Sequence, residues 1–396
     1  LVRAMCDPGF YDHPVEEVGL IQTHISSIFL TGELVYKLKK PVDFGFLDFS
    51  TREKRERNCR AELELNRRLA PEVYLRVATI GLEHGRPVLD SAAEPLDAVV
   101  VMRQLDGSRL GPEVHERGEL TEAMIDQVVH TLVPFYASAA TGPAIDEYGR
   151  IEVVKFNNDE NYEQTADFVG TALSTAQYDT LRVFTDTFVE DRRELLLRRV
   201  AEGRVREGHG DLHLGNIFFL DQPVIFDCIE FNDRLRCGDV AVDLAFLAMD
   251  LDFRGSPELA QRLIANYVEA SGDAELPRLM DIYKCYRAYV RGKIASFTSS
   301  DPAVEEPQRR VQRNLARHYF GLAYRYAGGG GHPSLLVLYG LMGTGKSSIA
   351  RFLRDEMGWY LISTDSVRKQ ISGVGKDTRV YVPYNEGLYS PEMNRR

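Results

Sequence analysis

An aspartate and an asparagine five positions apart, Asp211 and Asn216, sit in the run His209-Gly210-Asp211-Leu212-His213-Leu214-Gly215-Asn216. Phosphoryl transfer asks for such a pair. A carboxylate orients the attacking hydroxyl and accepts its proton, and oxygen ligands hold Mg²⁺ against nucleotide phosphates. A second metal ligand should close the next β-hairpin, and Ile225-Phe226-Asp227 places an aspartate at the end of an apolar strand. A strand lysine and a helix glutamate should complete the set. In Leu34-Val35-Tyr36-Lys37-Leu38-Lys39, Lys37 and Lys39 share one strand face, and either could serve. Lys40 points the other way and precedes Pro41. The partner belongs to the helix expected over 51–69, where Glu62 and Glu64 are both candidates and Glu62 is preferred. A lone aspartate in a turn is usually a cap or an Asx-turn. The combination of loop, hairpin and strand-end aspartate is what points to chemistry. His213 is set aside, because packing explains it as well as catalysis does.

A second constellation lies near the C-terminal end. Gly340-Leu341-Met342-Gly343-Thr344-Gly345-Lys346-Ser347 fits G-x-x-x-x-G-K-[ST]. Glycines such as Gly340, Gly343 and Gly345 let backbone N–H groups face phosphates. Lys346 reaches the β/γ-phosphates, and the Ser347 hydroxyl binds Mg²⁺. An apolar strand is expected at 335–339 and a helix after the glycines, which would present its N-terminus to negative charge. A second strand, 360–362, ends in Ser363-Thr364-Asp365, with Arg368 three residues on. Asp365 suits the N-cap of a helix over 366–372.

These residues need a frame. A β-hairpin is expected over 20–40, and strands over 73–82, 86–89 and 98–102. From residue 120 the pattern turns helical, over 121–140, 159–173, 175–201, 239–251, 257–270, 275–299 and 306–326, with a strand pair at 217–219 and 223–227. Ala327-Gly328-Gly329-Gly330-Gly331-His332-Pro333 reads as a linker. The expected layout is a β-rich lobe over 1–105, a helical lobe over 106–327, a linker at 328–334, and a further domain begun at 335–396. Too few strands follow residue 335 for a complete domain of that second type, so we expect it to be incomplete. Asp43-Phe44-Gly45 and Ala70-Pro71-Glu72 spell D-F-G and A-P-E, but both precede the catalytic run, and chain order dismisses them.

The run 209–216 matches the Asp, Leu and Asn of the kinase loop H-R-D-L-x-x-x-N. With Asp227 and Gly238-Asp239-Val240-Ala241-Val242-Asp243-Leu244-Ala245, it resembles the aminoglycoside phosphotransferase family over roughly residues 20–300. That resemblance implies a protein-kinase-like, two-lobed α+β fold and phosphorylation of a small-molecule hydroxyl by ATP with Mg²⁺. It implies Asp211 as base, Asn216 and Asp227 as metal ligands, a structural Asp243 bonded to the catalytic loop, and an adenine-binding hinge near 99–104. Gly210 replaces the arginine of protein kinases, which argues against activation-loop control. The last segment resembles the start of an α/β P-loop NTPase domain of the gluconate-kinase or polynucleotide-kinase type. There Asp365 would lie near the acceptor and Arg368 would hold substrate or phosphate. Two rival readings remain in view: a nucleotide-binding regulatory protein, or main chemistry in the P-loop module.

Composition narrows the partners. Net charge is −11, from 48 Lys+Arg against 59 Asp+Glu, which gives no strong nucleic-acid signal. No apolar run reaches the length of a membrane span. The five cysteines are scattered without a CxxC pair, so a reducing, cytoplasmic setting is expected. The partners expected are ATP and a small hydroxylated substrate.

Overall fold

In a computed structural model, residues 1–91, 93–328, 336–340, 344–357, 361–375, 378, 380–381 and 386–395 are described. The first third builds a six-stranded antiparallel sheet. Its strands are β1 (Gly19–Gln22), β2 (Ser26–Leu30), β3 (Leu34–Lys39), β4 (Tyr74–Glu83), β5 (Arg86–Leu89) and β6 (Pro95–Arg103), in the order β1-β2-β3-β6-β4-β5. Side-chain alternation gives the sheet two working faces. Phe29, Tyr36, Leu38, Ile80, Val99 and Val101 pack on one face with Met5 and Tyr11 from the N-terminal segment. On the other face Ala98, Val100 and Met102 meet Cys59 of helix α1 (Arg52–Asn66). Lys37 is registered opposite Val100, so both lysines of β3 point toward α1. Thr51 caps α1 by accepting the Lys54 N–H.

The second lobe is helical. Helices α2 (Glu122–Ser138), α3 (Ile151–Thr165), α4 (Thr175–Asp191) and α5 (Arg193–Ala201) precede the catalytic run. Helices α6 (Val240–Phe253), α7 (Pro257–Ser271), α8 (Met280–Ser300) and α9 (Glu306–Tyr326) follow it. Between the two groups lie β7 (Val205–Glu207), the hairpin β8 (Ile217–Phe219) and β9 (Pro223–Ile225), and β10 (Cys237–Asp239), which pairs with β7. Helix α6, apolar but for three aspartates, sits at the centre of the lobe, with eleven of its fourteen residues buried.

Several expected elements shift. The helix placed at 159–173 runs over Ile151–Thr165, because its buried face carries Asn158, Asn161 and Thr165. These bond back to carbonyls of their own helix, so hydrophobic periodicity does not mark them. The helix expected over 175–201 breaks at Arg192 into α4 and α5. The strands expected at 335–339 and 360–362 do not form among the described residues: 336–340 and 361–363 carry no strand. A parallel strand needs a neighbour to pair with, and among the described residues no strand follows β10. All five cysteines are free thiols. No described helix is long and apolar enough to cross a membrane.

Candidate active site

The catalytic run is held from below by one buried carboxylate. Asp243, in the first turn of α6, accepts the backbone N–H of His209 at 2.7 Å and of Gly210 at 2.9 Å, and the hydroxyl of Tyr136 at 3.0 Å. The structural role expected for Asp243 is thus what its bonds describe. Asp239 instead caps α6 and pairs through both oxygens with the buried Arg199. Gly210 has φ +85°, and a Cβ there would lie 2.8 Å from the Leu235 carbonyl oxygen. Glycine is therefore required by both backbone and space. His209 is fully buried, and its Nδ1 accepts the Asp211 N–H. Its Nε2 then donates to the Phe226 carbonyl at 3.0 Å, tying the loop to the residue before Asp227. Burial lowers the pKa of this histidine, in keeping with a neutral ring.

Asp211 and Asn216 are in direct contact. The Asn216 amide donates to the Asp211 carbonyl at 2.9 Å and to its Oδ2 at 3.0 Å. His213, which sequence reasoning set aside, reaches the same oxygen. Its Nδ1 accepts the Gly215 N–H, which leaves the ring proton on Nε2, 3.4 Å from Asp211 Oδ2. Burial favours the neutral Asp211 carboxyl, but the His213 Nε2–H and the Arg291 charge outweigh it and hold the group below the ordinary carboxylate range. The Asp211 side chain remains 35% exposed, so it reaches the solvent-facing cleft.

Three charges of the N-terminal lobe and two from the segment after β9 form a chain of five. Lys37 lies 2.6 Å from Asp227 and 2.7 Å from Glu62. Lys39 lies 2.6 Å from the other oxygen of Glu62 and pairs in turn with Glu230. Glu62 thus joins both lysines, whereas Glu64 faces solvent. Burial opposes charge on Lys37, yet Asp227 and Glu62 push its pKa well above the ordinary value. The same opposition on Glu62 is overcome by Lys37 and Lys39, which hold it low. Glu230 is the member on which burial wins, and its pKa is raised. Asp227 has φ +62°, a left-handed conformation that aspartate tolerates better than most residues, and its N–H donates to the Tyr74 hydroxyl. Glu230 and Tyr74 were missed from sequence. A charged residue in the apolar run Ile225 to Phe231 was the available signal for Glu230.

The structure also places part of the glycine-rich constellation. Gly340 and Gly345 have φ +150° and +84°, and Lys346 begins helix α10 (Lys346–Met357), with Ser347 in its first turn. Gly343 lies outside the described residues. Asp365 is in the first turn of α11 (Thr364–Ile371) and accepts the Tyr389 hydroxyl at 3.0 Å. Its expected service as N-cap is taken by Ser363, whose hydroxyl accepts the Ser366 N–H, because the helix starts earlier than 366. Arg368 lies over the Tyr389 ring.

Residues 35–281 match the phosphotransferase enzyme family, APH. The chain belongs to that family. It is an enzyme, a phosphotransferase whose acceptor is an alcohol group. Among proteins of known sequence it is 35% identical over 384 residues to the uncharacterized protein Rv2004c of Mycobacterium tuberculosis, covering 96% of this chain and 74% of that one. The same figures hold for the uncharacterized protein Mb2027c of Mycobacterium bovis. Overlap with solved structures is looser. The GDP complex of aminoglycoside 2'-phosphotransferase-IIIa is 13% identical with a TM-score of 0.49, covering 81% of this chain and 97% of that one. An ethanolamine kinase of Plasmodium vivax is 12% identical with a TM-score of 0.46, covering 78% and 81%.

Proposed function

We propose that this phosphotransferase moves the γ-phosphoryl group of ATP to a hydroxyl of a small molecule, with Mg²⁺. The observation that carries the reading is the Asp211–Asn216 contact, joined through the Phe226 N–H on the Asn216 carbonyl to the Asp227 that pairs with Lys37. Asn216 and Asp227 are the proposed metal ligands. The Asn216 amide nitrogen is committed to Asp211, which leaves Oδ1 as an oxygen donor, and Asp227 keeps a side chain 42% exposed. Two hard oxygen ligands suit Mg²⁺, which takes its remaining ligands from phosphates and water. When bound, the ion would offset charge on the phosphates.

Asp211 is the proposed base. Asn216 and His213 both act on Oδ2, so Oδ1 is the oxygen left to take the proton of the acceptor hydroxyl. A carboxylate held below its ordinary range is a weak base. Its main contribution is then to orient the hydroxyl, with the proton leaving late in a loose transition state. Lys37, steadied by Glu62, is the proposed phosphate ligand, and Lys39 lies too deep for that role, being 1% exposed. A hinge near 99–104 would meet the adenine.

We further propose a second nucleotide-binding module in 335–396, with Gly340, Gly343, Gly345, Lys346 and Ser347 around phosphate, and Asp365 and Arg368 beside an acceptor. The start of α10 at Lys346 directly after a left-handed Gly345 supports it. The deciding experiment measures ATP turnover by the full chain with a library of hydroxylated acceptors, for wild type, Asp211→Asn and Lys346→Ala. Loss of acceptor-dependent turnover in Asp211→Asn alone is expected. Loss in Lys346→Ala alone would move the main chemistry to the second module and overturn the reading.

A further inference from the structure

We infer that the cavity beneath the catalytic loop is a binding site for a small oxyanion, held by Arg287 and Tyr283 of α8 and by Arg236. The cavity encloses about 50 Å³, room for a few water molecules or one compact ion. Its walls come from α3, α5, α6, α8 and the paired strands β7 and β10, and they include Gly208 and Asp243. Asp211, Asn216, Asp227 and Lys37 are not among them, so the cavity is separate from the proposed transfer site. Tyr148, Asn157, Arg234 and Tyr286 also line it, and these half-buried residues mark its side toward solvent.

What singles out this cavity is a set of buried hydrogen-bond donors without acceptors. Arg287 is 6% exposed. Among the described residues only its Nε–H finds an acceptor, the Val242 carbonyl at a long 3.4 Å. Its approach to Asp243, at 3.6 Å, lies outside hydrogen-bond range. The Phe246 and Tyr286 rings flank the guanidinium at 4.7 and 5.6 Å and leave its edge for a ligand. Tyr283 stands one turn before Arg287 on the same helix face and is 5% exposed, and among the described residues its hydroxyl has no partner. The terminal nitrogens of Arg236 are committed to Ile229, Glu207 and Asp233, but its buried Nε–H has no partner. Buried polar groups are nearly always paired, and those left over point to a bound ion or water. The carboxylates of the cavity are already spent. Asp243 accepts two backbone N–H groups and the Tyr136 hydroxyl, and both oxygens of Asp239 are on Arg199. The unfilled groups are thus donors, and two of them belong to guanidinium ions. A ligand built only of acceptors and carrying negative charge answers them, which means a phosphate or a carboxylate.

The test titrates the full chain with Mg²⁺ and a non-hydrolysable ATP analogue kept saturating, so that nucleotide-phosphate sites are filled. Sodium phosphate and sodium acetate are added in separate arms, at an ionic strength held constant with chloride. Binding is read by calorimetry and by Tm. We expect a saturable site for one of the two oxyanions, with Tm higher by roughly 3–8 °C at about a hundredfold excess over Kd, and the two arms tell phosphate from carboxylate. Arg287→Gln should weaken Kd by about tenfold or more, and Tyr283→Phe, which keeps the ring, by roughly three- to tenfold. No saturable binding beyond chloride in either arm, or an unchanged Kd in a folded Arg287→Gln, overturns the inference. Where Arg287→Gln does not fold, Tyr283→Phe decides alone, and a Kd within about twofold of wild type overturns the inference. None of these readings depends on turnover, so the outcome stands apart from the role of Asp211.

Discussion

Replacing Lys39 by methionine removes one cation from the middle of the buried charge chain and keeps most of the side-chain volume. Lys39 is 1% exposed, and its partners Glu62 and Glu230 are 0% and 5% exposed. Glu62 still has Lys37 after the change, but Glu230 has no other ion-pair partner among the described residues. Taking one partner from a buried pair costs about 3–5 kcal/mol, because the remaining charge stays desolvated. For a domain of this size that corresponds to a fall in Tm of roughly 5–15 °C. The loss should depend on pH in a stated direction. Burial already raises the Glu230 pKa, and without Lys39 it rises further. The cost is then absent where Glu230 is protonated in both folded and unfolded chains, and complete above its folded pKa. The gap between variant and wild type should narrow as pH is lowered from 7.5 toward 5. Glu230→Gln added to Lys39→Met should restore about 2 kcal/mol by removing the stranded charge. The assay is thermal and urea unfolding of wild type, Lys39→Met and the double variant at three pH values. A Lys39→Met variant that melts within about 2 °C of wild type, or that gains nothing from Glu230→Gln, would refute this account of the chain.

Other outcomes follow from the same geometry. His213→Ala removes the largest of the interactions that hold the Asp211 carboxyl low, so the acid limb of the kcat/KM–pH profile should move to higher pH, and an unmoved limb would remove His213 from the site. Asn216→Ala should raise the Mg²⁺ concentration needed for half-maximal turnover by roughly tenfold, with a smaller change in acceptor KM, as read from metal titrations of initial rate. Gly210→Ala forces a Cβ against the Leu235 carbonyl at positive φ, and should destabilise the fold by about 1–3 kcal/mol in urea unfolding. Asp211→Asn should lower kcat by roughly 100- to 10,000-fold while ATP binding, followed by calorimetry, stays close to wild type.

The placement of the proposed catalytic loop was legible because it is local: Asp211, Asn216 and Asp227 are set by spacing along one loop and hairpin. The pairing of Lys37 and Lys39 on one face followed from strand alternation. The choice between Glu62 and Glu64 was also within reach. Cys59, Glu62 and Asn66 recur at helical spacing and are all buried, whereas Glu64 lies on another face. His213 was set aside although its partners are local, and Glu230 was not legible, since its importance comes from elements far apart in the chain. His213 acquires its tautomer from the Gly215 N–H and its target from the fold of the loop. Glu230 matters because β3 and α1 close over it. Helix α3 was misplaced because asparagine and threonine line its buried face. The apolar run at 335–339 shows the opposite failure, since a sequence pattern records that a strand could be buried and not whether a neighbour is there to pair with it.

The segment after Asp227 is fastened to the N-terminal lobe at several points. Glu230 holds Lys39, the Cys228 N–H donates to Asn66 at 2.8 Å, and the Asn232 amide donates to the Phe46 carbonyl at 2.9 Å. Just beyond α1, Arg68 donates to the Gly208 carbonyl at 2.9 Å. Together these make a bound spine along one side of the cleft, and the chain itself joins the lobes again where β6 runs on into 104–110, with the Gln104 N–H on Glu33 and Arg109 on the Phe219 carbonyl. A rotation of one lobe on the other would have to turn about both attachments, with the carboxylates along the spine still paired.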